Sequence, residues 1–92
     1  MSASTIIKFG TLQDRARQTK CKLEIVSGLF NQSYKKFYAV GPTSVRNFES
    51  HIEKCEAEEN GFDNCKVFTY ETMSEVEAHL NAVEFCVKMA SP

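Results

Sequence analysis

Glycine and proline are scarce in this sequence, four and two among 92 residues. That scarcity excludes a collagen-like or low-complexity chain, and 42% hydrophobic with 25% charged residues is an ordinary globular balance. No run is long and apolar enough to span a bilayer. The first residues, Met1 to Lys8, carry neither a basic start nor an apolar stretch, so no secretory signal is expected. The expected compartment is the cytoplasm, where thiols stay reduced. No two of Cys21, Cys55, Cys65 and Cys86 form a C-x-x-C pair. There is no Walker loop, no G-x-G-x-x-G and no H-E-x-x-H. These absences argue against zinc knuckles, nucleotide-phosphate cradles and zinc proteases.

What is present points to one domain over residues 1–92, with 1–4 small, polar and frayed. The net charge of −1 hides a strong asymmetry. Residues 1–46 carry eight basic side chains against two acids, a balance of +6, while residues 47–92 carry three against ten, a balance of −7. A split of this kind points to a charged partner.

The β-branched Thr5–Phe9 segment reads as a first strand. Gly10–Thr19 reads as one or two helical turns or as a polar loop. In Lys20–Phe30, Cys21, Leu23 and Ile25 alternate with Lys22, Glu24 and Val26, which predicts a strand ending near Gly28. Asn31-Gln32-Ser33 is turn chemistry, and Tyr34–Val40 completes an antiparallel hairpin. That second strand is apolar on both sides, as central strands are. Gly41-Pro42 stops it, and Thr43 or Ser44 caps a helix running to about Glu59. Val45, Phe48, Ile52 and Cys55 form the helix's apolar stripe. Asn60-Gly61 ends it.

Cys65–Glu71 reads as a further strand, joined to the hairpin by a right-handed parallel crossover. Thr72-x-x-Glu75 and Ser74-x-x-Glu77 both match a capping box. The helix that follows presents Met73, Val76, Leu80, Val83 and Val87 on one stripe. A rival two-residue alternation over residues 83–89 would instead end the helix at Asn81 and add a strand; the stripe favours a continuous helix. The expected fold is α+β, a small mixed three- to four-stranded sheet with two amphipathic helices packed on one face. A helix in Gly10–Thr19 would give it ferredoxin-like βαββαβ order.

The candidate sites are surfaces. Glu49, Glu53 and Glu56 recur at i, i+4 and i+7 on the first long helix, away from its core stripe, and Glu58, Glu59 and Asp63 extend the charge into the loop. Clustered carboxylates steer a protein onto a cationic surface, and Leu29 and Phe30 beside the hairpin turn offer apolar anchors. The expected function is a small non-enzymatic adaptor or inhibitor docking on a basic, nucleic-acid-handling protein, of the type phages direct against host enzymes. The alternative is binding of RNA or single-stranded DNA through Lys20, Lys22, Lys35, Lys36 and Tyr38, with lysines on phosphates and the aromatic ring on a base. A third reading is an enzyme built around His51 or Cys55, whose histidines are expected at the surface. For metal binding the best local set is His51 with Cys55 one helical turn on, plus Cys65 across the loop. Without a knuckle, Cys55 reads more simply as a small core residue, so no metal, cofactor or disulfide is expected.

Overall fold

A computed structural model describes residues 2–32, 34–59 and 61–90. Among them the chain forms α1 (Ala3–Gln18), β1 (Cys21–Ser27), β2 (Lys36–Pro42), α2 (Phe48–Ala57), a single 3-10 turn (Gly61–Asn64), β3 (Phe68–Tyr70) and α3 (Met73–Ala90). The strands make one antiparallel sheet in the order β1-β2-β3. The α+β class is as expected, but several elements differ from the sequence expectation.

The first strand is not formed. Thr5–Phe9 lies inside α1, which Ser2 caps through a 3.2 Å hydrogen bond from the Thr5 N–H to Ser2 Oγ. Ser2 to Ser4 are thus part of the helix start rather than a frayed end. Phe9, Leu12 and Ala16 recur at i, i+3 and i+7 and pack onto the sheet. This long-range contact outweighs the local β-preference of Ile6 and Ile7, which stay exposed.

The hairpin forms as expected, with Cys21 opposite Pro42 and Ser27 opposite Lys36. Its strand β2 starts at Lys36 and runs on through Gly41 and Pro42. The connection uses left-handed backbone at Gly28, Phe30 and Asn31. Of the expected turn, Ser33 lies outside the described residues.

β2 is the central strand. Phe37 and Ala39 face one core with Val26, Leu29, Phe48, Ile52 and Val67. Tyr38 and Val40 face another with Leu12, Ala16, Leu23, Val76 and Leu80. The helices therefore cover both sides of the sheet, α2 on one and α1 with α3 on the other, and not one face as expected. Successive strand residues point to opposite faces, so a strand apolar on both needs two covers.

The α2 stripe of Phe48, Ile52 and Cys55 is buried. Its cap is Asn47, whose Oδ1 accepts from the Ser50 N–H at 2.9 Å, rather than Thr43 or Ser44. Val45 consequently precedes the helix and packs against the same core from outside it. The helix ends at Ala57, two residues short of Glu59.

β3 is shorter than expected and antiparallel to β2, pairing Val40 with Phe68 and Tyr38 with Tyr70. The expected parallel crossover fails because the chain doubles back along α2. It returns to the end of β2 from which it left, where Val67 fills the space beside Gly41. A Cβ at Gly41 would lie 2.9 Å from Val67 Cγ2 and 3.2 Å from Phe48 Cζ.

The capping box at the start of α3 is the Thr72–Glu75 one, with the Thr72 N–H to Glu75 Oε1 and the Glu75 N–H to Thr72 Oγ1 both at 3.2 Å. The helix continues unbroken through Asn81 to Ala90. Neither a fourth strand nor ferredoxin-like order is present among the described residues. α1 and α3 run side by side in the same direction. Arg15 grips Glu84 through Nε (3.1 Å) and Nη2 (2.6 Å), and Lys8 reaches Glu77 at 3.6 Å. Beyond Glu84 the helix leaves Phe85, Val87 and Met89 exposed. No helix among the described residues is long and apolar enough to cross a membrane.

Gly10 sits mid-helix in α1 with no atom within 4 Å of a Cβ built there. Gly10→Ala should therefore raise unfolding stability by about 0.5–1 kcal/mol, read from the urea midpoint. A loss of stability would contradict a helical Gly10.

Candidate functional site

The acidic residues singled out in the sequence divide by position. Glu49, Glu53 and Glu56 form one exposed stripe on α2, flanking the buried Phe48–Ile52–Cys55 stripe. Glu58, Glu59 and Asp63 are exposed around the turn that follows. None of these six is in an ion pair among the described residues. By contrast Asp14, Glu24, Glu71, Glu77 and Glu84 each have a basic partner. The proposed anchors differ from expectation. Leu29 is 1% exposed and belongs to the core, because the left-handed turn at Gly28 folds it under the sheet. Phe30 is half-buried, edge-on to Phe37 with ring centroids 5.6 Å apart.

The basic set does not converge on one surface. Lys20 and Lys22 lie at the start of β1, while Lys35 and Lys36 lie at the opposite end of the hairpin, about 17 Å along the strands. Lys22 sits 4.8 Å over the Phe48 ring, within 3.5 Å of Glu24, and donates to the Arg46 carbonyl at 3.2 Å. Lys35 is paired with Glu71. Tyr38 is half-buried against Phe9, with Ile25 opposite it on β1. Tyr38, Lys36, Ile25, Thr5 and Glu71 line a cavity of about 180 Å³, well under the ~300–1,000 Å³ of small-molecule sites.

The remaining chemistry-bearing residues form two groups. His79 on α3 is half-buried against β3 and not at the surface as expected: its Nδ1 is 2.7 Å from the Tyr70 hydroxyl, and its ring is tilted against that of Phe68 with centroids 5.1 Å apart. Burial holds its pKa below the usual histidine value of 6.5 and pushes the Tyr70 hydroxyl up, with the Glu75 charge adding to the latter.

His51, Cys55 and Cys65 come together at the end of α2, with their ligand atoms all within 4.8 Å of one another. His51 and Cys55 share a helix face by their i, i+4 spacing. Cys65 is delivered by Gly61, where a Cβ would lie 2.0 Å from the Cys55 carbonyl oxygen; only a residue without one lets the chain turn back this tightly. Of the expected Asn60-Gly61 stop, Asn60 lies outside the described residues. The Lys66 N–H donates to His51 Nε2 over 3.4 Å, which puts the ring proton on Nδ1. All four cysteines are free thiols. Burial, and then the neighbouring Cys65 thiol, push Cys55 up to about 11, so in this state it is not an activated nucleophile. This trio was visible in the sequence; what was not visible was the tight return at Gly61 that closes it.

Comparison with protein-family models, curated proteins and solved structures finds no match to this chain.

The His79 environment sets a direction for pH dependence. A histidine held neutral by burial binds fewer protons when folded than when unfolded, so its contribution is complete above about pH 6.5 and is lost as pH falls through the folded pKa. Glu84, held below 4.5 chiefly by its hydrogen bond from Arg15, acts only at lower pH. Urea midpoints should therefore decline between pH 7 and pH 5, and His79→Gln should flatten that decline. An unchanged slope in the variant would assign the effect elsewhere.

Proposed function

We propose that this chain is a small non-enzymatic protein-binding module, an adaptor or inhibitor, that docks the acidic side of α2 and its following turn on a basic partner surface. The observation that carries this reading is the unneutralised state of Glu49, Glu53, Glu56, Glu58, Glu59 and Asp63, beside carboxylates elsewhere that have basic partners. An exposed block of one sign accelerates encounter with the opposite sign and fixes orientation. Phe30 remains at the margin of the interface as a half-buried ring; Leu29 is withdrawn from it.

Nucleic-acid binding has weaker support, because phosphate contacts must line up along a backbone and the lysines are divided between the two ends of the hairpin. We take the cytoplasm as the compartment, in keeping with four free thiols.

The test is capture from a lysate with and without nuclease, comparing the natural chain with the Glu49→Lys, Glu53→Lys, Glu56→Lys triple variant. A nuclease-resistant protein should be retained by the natural chain, weaken with salt, and bind the variant at least about tenfold less while its circular dichroism is unchanged. Undiminished capture by the variant would reject this face, and recovery of nucleic acid alone would move the function to the basic half.

A further inference from the structure

We infer that His51, Cys55 and Cys65 form a zinc site. It does not depend on the acidic-surface reading, although it lies at the base of the same turn.

The donor set has the required chemistry. One imidazole and two thiols are the ligands that zinc takes in tetrahedral sites, and they come with a spacing of H-x3-C on a helix followed by a returning loop. A tetrahedral zinc holds such atoms about 3.5–3.8 Å apart. The three ligand atoms here already lie within 4.8 Å of one another without an ion. Closing the remaining ~1 Å needs rotation of two half-buried side chains, His51 and Cys65, while the buried Cys55 stays in place.

Charge also balances. Binding takes a ring-nitrogen lone pair of His51 and releases the two thiol protons to solvent. Zinc with two thiolates is neutral overall, as the two thiols are without it. A partly buried pocket therefore holds the same net charge in both states and avoids the cost of an uncompensated ion. Three protein donors leave the fourth position to water.

A disulfide between Cys55 and Cys65 is the competing use of the two sulfurs, but it leaves His51 without a role and calls for an oxidising compartment.

The experiment is titration of the reduced, chelator-stripped full chain with Zn2+ against a chromophoric competitor, repeated with Co2+ as a spectroscopic probe. One Zn2+ per chain should bind more tightly than about 1 µM. The Co2+ form should show thiolate charge-transfer and tetrahedral d–d bands. His51→Gln and Cys65→Ser should each weaken binding at least about tenfold with the fold intact, and Cys21→Ser and Cys86→Ser should leave it unchanged. Because Cys55→Ser puts a hydroxyl into the core, the half-buried pair carries the test. Gly61→Ala, which keeps every donor but pushes the return away from Cys55, should also weaken binding. Affinity no better than ~100 µM for the reduced natural chain, or tight binding that survives His51→Gln and Cys65→Ser, would overturn the site.

Discussion

The layers of this structure follow from the need to cover β2 twice, because Phe37 and Ala39 leave one side of the strand while Tyr38 and Val40 leave the other. Exposing either set would break up one of two cores of similar size, a large part of the apolar burial that so short a chain has to spend on folding. β2 is therefore flanked by β1 and β3, with α2 on one face and α1 beside α3 on the other. The second face takes two helices. Leu12 and Ala16 come from one, Val76 and Leu80 from the other, and Arg15 locks the pair by its forked contact with Glu84. Among the described helices the first face has α2 alone, ten residues long, and Leu29, Val45 and Val67 from the connecting segments add to its cover.

That return creates the chemistry. With one short helix on its face, the chain has to come back along α2 to reach the edge of β2. Two glycines make this possible by letting segments approach: Gly41 admits Val67 and Phe48, and Gly61 admits the Cys55 carbonyl. The same doubling back reverses the direction expected for β3 and carries Cys65 to the helix face that bears His51 and Cys55. The antiparallel strand and the convergent donors are thus two results of one path.

Elements whose periodicity and burial agree were legible in the sequence. The β1–β2 hairpin, the Phe48–Ile52–Cys55 stripe and the long α3 with its Thr72–Glu75 box were all readable, since each local pattern matches its tertiary use. The first segment was not. Ile6 and Ile7 suggest a strand, and the helix that forms instead depends on Phe9, Leu12 and Ala16 meeting a sheet built later in the chain. Leu29 was misread for a similar reason. Beside a turn it looks like an exposed anchor, yet a left-handed Gly28 swings it into the core. For the candidate zinc donors, residue types and helical spacing were readable at His51 and Cys55. The proximity of Cys65 was not, because it depends on close packing of backbone at Gly61, which has no periodicity to announce it.

The nine residues between Cys55 and Cys65 include Glu56, Glu58, Glu59 and Asp63, so the most acidic stretch of the chain is also the one bracketed by the two thiols. Like charges this close repel and favour an open loop. Among the described residues the loop is held by the Glu58 N–H to the Cys55 carbonyl at 3.3 Å, the Gly61 N–H to the Glu58 carbonyl at 3.1 Å, the Lys66 N–H to His51 and the fit of Gly61 against Cys55. A metal fixed at both ends of the loop would tie them together against that repulsion and remove much of the loop's conformational freedom in advance of any partner. Preorganisation of that kind strengthens docking without a new contact across the interface. On the two proposals taken together, the metal donors would set the shape of the docking surface and the unneutralised carboxylates its charge.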